Sequence, residues 1–557
     1  MAEPITEVTI VGGGTAGWLA ALLLQSMVCD PKKPDRPIKI TLIESPNINS
    51  VGVGEATVPG MPRTLRQAGI SEKAFFKACN ASFKLGVLFN DWNVDEKGKP
   101  FSFMNPFQDV PNISGREAGF YMLRYGADGR DFSQVFSPAL DLFKASKGPR
   151  PLGRKEFDPT VGFAYHLDAG AFAKMLSEAC VKRGANHVRD DVVDVEQDER
   201  GYISALQLAE GGRRPVQLVL DCTGFRGLII NKVLEEPFIS YSKHLANDRA
   251  LAVQLPHPPG GKIPSATQST ALGAGWVWRV PLYHRVGTGY VFSSAHRTDE
   301  EAKAEFLQHL GPQGEGAEPR VIPMRIGRTA RAWVKNCVAV GLSSGFIEPL
   351  ESTAIHTIDT TVRWLANFFP DQSFADPLRD RFNKLTTALY DEILDFIVVH
   401  YALGNRTDDP YWIDARNLEL PDRLAENLAL WRHNLPTHYD LDFDSFTSPS
   451  IYQVVMLGKR VYDMGFGAPE MVQNMTLNRR AWNEVLKNSK RNIGQMVKTF
   501  PDHRTLLTEL RGELQPAERQ PAFSGFGQQA TVPLPGAKKV PVKVPEFVPS
   551  EKDSALL

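Results

Sequence analysis

The segment Gly12-Gly13-Gly14-Thr15-Ala16-Gly17 constrains this chain more than any other. It has the GxGxxG spacing, with glycines at 12, 14 and 17. A β-branched run, Val8 to Val11, precedes it, and helix-forming sequence from Trp18 to Met27 follows. A second strand-like run, Ile38 to Ile43, ends in Glu44. Strand, glycine turn, helix and strand make a βαβ unit, which calls for a parallel sheet covered by helices. Each glycine has a physical reason there. Gly12 permits the tight turn, Gly14 lets the backbone approach a pyrophosphate, and Gly17 lets the helix close on the strand. The helix N-terminus at Thr15 and Ala16 then faces the phosphates, and Glu44 stands where a ribose hydroxyl acceptor belongs. This predicts a dinucleotide site without separating FAD from NAD.

Two later segments point to FAD. Asp221-Cys-Thr-Gly-Phe-Arg-Gly227 follows the apolar run Leu218 to Leu220. Val338-Ala-Val-Gly-Leu-Ser-Ser-Gly-Phe346 reads as strand, glycine turn around Leu342, and a following helix. FAD enzymes of this architecture set such a late turn beside the ribityl chain and ring system, although a structural turn gives the same pattern.

Elsewhere the pattern alternates. Val188–Val195, Ile203–Leu208 and Gln217–Leu220 read as hairpin strands, and Gly275–Pro281 and Gly289–Ser293 as two more. Helices are expected at Ala354–Phe368, Arg379–Tyr401, Pro421–Asn434 and Trp482–Phe500, with Pro421 in a first turn. The fold class is α/β: a Rossmann-like FAD-binding module of flavoprotein monooxygenase type with mixed sheets, and a mostly helical C-terminal substrate region. The expected division is residues 1–350 for the FAD module with β-rich insertions, 351–512 for the helical cover, and 513–557 for an irregular tail rich in Pro, Gly and Lys.

Bulk properties exclude several classes. The 557 residues carry 63 basic and 64 acidic side chains, a formal charge of −1. That balance gives no basic stripe for nucleic acid or an anionic membrane. Five widely spaced cysteines without a CxxC pair suggest neither a metal site nor a disulfide framework. Reduced cysteines, an acidic start at Met1–Glu7 and no long apolar run together predict a cytoplasmic protein without signal peptide or membrane span.

Four segments carry chemistry. Trp276 and Trp278 in Gly275-Trp-Val-Trp-Arg-Val-Pro281 lie two apart in a strand, so they face one side; ordinary aromatic packing would do the same. Gly52-Val-Gly-Glu-Ala-Thr-Val-Pro59 is a constrained loop that includes Gly54, Glu55, Ala56 and Thr57. Lys84, in Ser82-Phe-Lys-Leu-Gly-Val87, stands among apolar residues leading to Phe89 and Trp92. A lone lysine is normally solvated, but burial there would lower its pKa and sharpen its nitrogen as a nucleophile. Glu348-Pro-Leu-Glu-Ser-Thr-Ala354 brings Glu351 to a helix start, with Ser352 and Thr353 suited to capping.

Together these segments resemble the flavin-dependent tryptophan halogenases from Val8 to about Val497. The family's WxWxIP sequence is matched by Trp276, Trp278 and Pro281, with Val280 in place of Ile. The resemblance implies that the tryptophans wall the flavin from the organic substrate. It implies that the loop at residues 52–59 lies beside the flavin ring. Lys84 falls at the essential lysine, which hydrogen-bonds hypohalous acid or carries the halogen. Glu351 faces the substrate with support from Ser352, and the N–H groups near Thr353 and Ala354 bind halide, Ala354 replacing the usual glycine. Reduced FAD from a separate reductase, O2, and chloride or bromide are the implied reactants. Homodimers are common in the family.

Substrate signals are mixed. Phe107, after Asn105 and Pro106, matches an aromatic that stacks on indole. Many members acting on free tryptophan have His where Asn105 stands, and Tyr452 lacks the tyrosine neighbour of their recognition set. Free tryptophan, indole and larger indole-bearing molecules therefore remain open. Trp412 and Trp431 are expected to support the chamber or pack in the core. A flavin monooxygenase and a flavin-binding relative without halogenase activity are the competing readings.

Overall fold

A computed structural model describes residues 3–29, 38–48, 54–441, 447–462 and 470–514. The described residues fall within one compact unit. The expected irregular tail lies, from residue 515 onward, outside the described residues, as do Gly52 and Val53.

The glycine motif sits in a six-stranded sheet. Its strands run Asn186–Arg189, Lys39–Glu44, Glu7–Val11, Leu218–Asp221, Cys337–Ala339 and Trp333–Val334. The first five are mutually parallel and the last is antiparallel. Two expected hairpin strands, Val188–Val195 and Gln217–Leu220, are thereby corrected. Asn186–Arg189 pairs in parallel with Lys39–Glu44, and only Val192–Gln197 forms a hairpin, with Ile203–Leu208. Leu218–Asp221 is buried at every position, as an inner parallel strand must be.

A seven-stranded sheet builds the second layer, in the order Arg320–Pro323, Arg249–Pro256, Arg285–Phe292, Gly275–Pro281, Thr267–Leu272, Gly86–Val94 and Pro100–Pro106. All its pairings are antiparallel except that of Thr267–Leu272 with Gly86–Val94. Three short strands, Gly54–Ala56, Ala164–Asp168 and Ser82–Lys84, form a bridge that carries Glu55 and Lys84 on its two edges.

Helices Ala354–Asn367, Asp376–Ala402, Asp422–Trp431 and Arg479–Thr499 fall where periodicity puts them. Pro421 is the cap residue before its helix and not in the first turn. No helix follows Phe346 directly. A 3-10 turn, Gly341–Ser343, leads through Gly345–Phe346 to a second 3-10 turn, Pro349–Glu351. The helix starts only at Ala354, because Ser352 adopts a left-handed conformation, φ 62°. Trp412 and Trp431 are core residues, their indole N–H groups donating to Leu272 O and Asp440 Oδ2, each at 2.9 Å.

Candidate active site

The three glycine turns converge. Backbone N–H of Val340 donates to Asp221 O at 3.0 Å, and Ser343 Oγ also donates to that carbonyl. A methyl on Gly341 would come within 2.7 Å of Ala16 Cβ, so the late turn packs directly on the first helix. The Asp221 carboxylate organises its own turn, accepting from Thr223 N and Oγ1 and from the N–H groups of Ile229 and Ile230 at 2.6–3.0 Å.

Two cavities open from this junction. One, about 630 Å³, is lined by Gly12, Gly13, Gly14, Glu44, His187 and Arg189. Glu44 Oε2 lies 2.8 Å from His187 Nε2, a partner that the sequence did not suggest. The other, about 330 Å³, is lined by Thr15, Ala16, Glu55, Trp278 and Leu342, and by Thr353 and Ala354 at the helix start. Gly14, Cys222 and Gly224 border both.

The glycines fit an elongated dinucleotide across this junction. A methyl on Gly14 would meet nothing within 4 Å, so the main chain there is open to a bound group. At Gly12 it would strike Cys222 O at 2.2 Å, and at Gly17 it would strike Gly12 O at 1.9 Å. Those two glycines serve close packing. Gly17, Gly54, Ala56 and Thr57 are not among the lining residues of either cavity. Thr57 instead ties the bridge together: its N–H donates to Tyr165 O at 2.9 Å, and its own carbonyl accepts from Lys84 Nζ at 3.2 Å. Glu55, two residues earlier, faces the smaller cavity, and surrounding protein pushes its carboxyl up to about 7. One short loop thus touches the smaller cavity and the lysine.

Lys84 has no accessible surface. Desolvation brings its pKa down to about 7, opposed by the charge of Glu351. Its Nζ stands 5.2 Å from the centre of the Phe107 ring. Glu351 is buried at 5% exposure, and its Oε1 accepts from Asn105 Nδ2 at 2.9 Å. His400 Nε2 lies 3.2 Å from the same oxygen. Thr353, at the cap position, makes no capping hydrogen bond with its side chain among the described residues. The first N–H groups of the helix lack intrahelical acceptors and border the smaller cavity at Thr353 and Ala354.

Trp278 faces that cavity. Trp276 packs behind it at 6.3 Å between ring centres, edge to face, and donates to Glu348 Oε2 at 3.1 Å. The same carboxylate oxygen accepts from Asn247 Nδ2 at 2.7 Å and Tyr401 OH at 3.0 Å. Burial raises the Glu348 pKa, and these three donors oppose the rise. Sequence reasoning missed Glu348 as an anchor although it lies in a motif already singled out. His400 had no sequence signal at all, being one polar residue in a long helix.

A dinucleotide cradle joined through one loop to a buried lysine, with a glutamate-bearing turn and a tryptophan wall beside it, defines a flavin-dependent halogenase. The chain belongs to the tryptophan halogenase family, whose model matches residues 7–468. It is 34% identical to the 7-chloro-L-tryptophan 6-halogenase KtzR of Kutzneria sp. (strain 744), over 90% of this chain and 99% of that protein. It is 36% identical to the tryptophan 6-halogenase SttH of Streptomyces toxytricini, over 81% of this chain and 89% of that one. The crystal structure of a tryptophan halogenase from Shewanella frigidimarina superposes with a TM-score of 0.85 at 32% identity, covering 92% of this chain and 98% of that one. These likenesses disfavour the monooxygenase and inactive-relative readings.

Proposed function

We propose that this halogenase attaches chloride- or bromide-derived halogen to an indole-type ring held between Lys84 and Glu351. The observation that carries the reading is the fully buried Lys84, bonded to Thr57 beside the smaller cavity and set against Phe107 and Glu351. When bound, reduced FAD would give two electrons to O2, which takes two more from the halide, one oxygen leaving as water and the other forming hypohalous acid. Thr353 and Ala354 N–H groups hold the halide, as a helix N-terminus favours an anion. Trp276 and Trp278 keep the aromatic substrate apart from the flavin. With a pKa near 7, Lys84 is poised between two forms. Its ammonium hydrogen-bonds hypohalous acid, or its neutral amine takes the halogen, the N–X bond forming as O–X breaks and water leaves. The ring carbon then takes the halogen, and Glu351 accepts the ring proton while the C–H electrons restore aromaticity. Ser352 supports that turn. Regiochemistry comes from holding one carbon at Lys84, since hypohalous acid itself is indiscriminate.

Asn105 and the isolated Tyr452 favour indole or an indole-bearing molecule as strongly as free tryptophan. A separate reductase supplies reduced FAD, and the five free cysteines suit cytoplasmic work. Lys84→Ala should bind FAD as the wild type does and form no halogenated product. Near wild-type halogenation by that variant, measured by mass spectrometry over tryptophan and indoles with mixed halides, would remove the assigned role.

A further inference from the structure

Oε1 of Glu351 has two polar neighbours that the mechanism above does not use. Asn105 reaches it from strand Pro100–Pro106, and His400 from helix Asp376–Ala402. The Asn105 amide must present its nitrogen, because the flipped amide would set oxygen against carboxylate. Among the described residues Oε2 takes no hydrogen bond. His400 has no accessible surface and is clamped between rings, stacked on Phe89 at 4.6 Å and edge-on to Phe396 at 5.3 Å. Neither of its ring nitrogens makes an aligned hydrogen bond among the described residues, so the approach of Nε2 to Oε1 is a close polar contact at 3.2 Å. The charges acting on this pair are Lys84 on Glu351, from the bridge sheet, and Lys459 on His400, from the end of helix Pro449–Gly458. Glu348 lies on the same turn as Glu351, turned toward Trp276.

We infer that Asn105 and His400 are positioning residues that jointly hold Oε1 of Glu351, so that Oε2 is the atom presented to the substrate ring and available for its proton. This rests on the reading of Glu351 as the base. The tautomer follows from geometry. A bare lone pair on Nε2 facing a carboxylate oxygen at 3.2 Å would repel it, so Nε2 carries the proton and turns its positive edge toward that oxygen, without an aligned hydrogen bond. Burial, with Lys459 nearby, disfavours the imidazolium, so the ring is a neutral donor. In that tautomer His400 cannot relay a proton away from Glu351. It orients the carboxylate.

The test compares wild type, Glu351→Gln, Asn105→Leu, His400→Phe and His400→Gln. The first readout is the competitive deuterium isotope effect on halogenation of ring-deuterated tryptophan and indole. A misheld base slows loss of the ring proton, so His400→Phe and Asn105→Leu should show a normal isotope effect larger than wild type. Their kcat should fall by roughly 10–100-fold, less than the ~10²–10⁴-fold that loss of a general base itself costs, with KM little changed. His400→Gln, which keeps a donor, should recover part of kcat. The second readout needs no turnover: 15N NMR of histidine-labelled enzyme, with His400 assigned from its loss in His400→Phe. It should show neutral imidazole protonated at Nε2, with the Nε2 shift displaced in Glu351→Gln. An inactive Glu351→Gln with wild-type isotope effects in the other variants, or a His400 protonated only at Nδ1, overturns the inference. An active Glu351→Gln instead sinks the role of Glu351 itself.

Discussion

Gly12, Gly14 and Gly17 share one motif, but a methyl group meets a different fate at each. At Gly12 and Gly17 it collides with backbone carbonyl oxygens; at Gly14 it points into open space. Gly14 also has an extended backbone, φ −77°, which any residue adopts. Gly14→Ala should therefore keep the melting temperature of the ligand-free protein and weaken FAD binding, measured by fluorescence titration. Gly17→Ala should lower the melting temperature without FAD present. If Gly14→Ala bound FAD as tightly as wild type, the open side of Gly14 would not be the path of the pyrophosphate. Lys84 shows the reverse lesson. Its spacing and neighbours hint at burial, but only the pairing of Ser82–Lys84 with Ala164–Asp168 places its nitrogen on Thr57 O.

At the scale of elements, the link from Pro349–Glu351 to helix Ala354–Asn367 decides the geometry of the proposed halide site. Ser352 is held left-handed, which costs a non-glycine residue roughly 1 kcal/mol or more. Ser352→Gly should relieve this and raise the melting temperature. Ser352→Val, β-branched and less tolerant of positive φ, should lower it and raise the KM for chloride and bromide by shifting the N–H groups at Thr353 and Ala354. An unchanged halide KM in a folded Ser352→Val would show that this link does not aim the helix end. The sequence marked Ser352 and Thr353 as capping residues, a local rule. Here tertiary packing overrides it, and the Thr353 hydroxyl leaves the helix end to the cavity.

At the scale of the whole molecule, two lysines are buried among the described residues. Lys459 has no accessible surface, donates to Asn93 Oδ1 at 2.7 Å and lies over the rings of Trp92 and Phe103 at 5.4 and 5.6 Å. Burial lowers its pKa to about 7, as it does for Lys84. Between that value and the ordinary 10.5 the unfolded chain binds more protons than the folded one, so stability rises with pH. Below about pH 7 both states hold the proton, and the cost of the buried charge is full and constant. In the rising window each lysine contributes a slope of about 1.4 kcal/mol per pH unit. Lys459→Met should remove one such slope between pH 7.5 and 9.5, as read by urea unfolding across that interval. An identical pH slope in the variant would show that Lys459 titrates normally in the folded protein. Among the described residues no helix is long and apolar enough to cross a membrane.

The sequence by itself determined the βαβ unit, the late glycine turns and the main C-terminal helices, and it singled out Lys84, Glu351 and the tryptophan pair as candidates. Each of these is written in local spacing: glycines where backbones touch, apolar periodicity, two aromatics on one strand face. Only the tertiary structure decided that Leu218–Asp221 is an inner parallel strand, that Glu348 anchors Trp276, and that Asn105 and His400 meet on one oxygen of Glu351. Those contacts join residues 72 to 246 positions apart for the hydrogen bonds. No local pattern encodes which distant polar atoms will share a dry pocket. That is settled when sheets and helices close and most buried polar groups find partners.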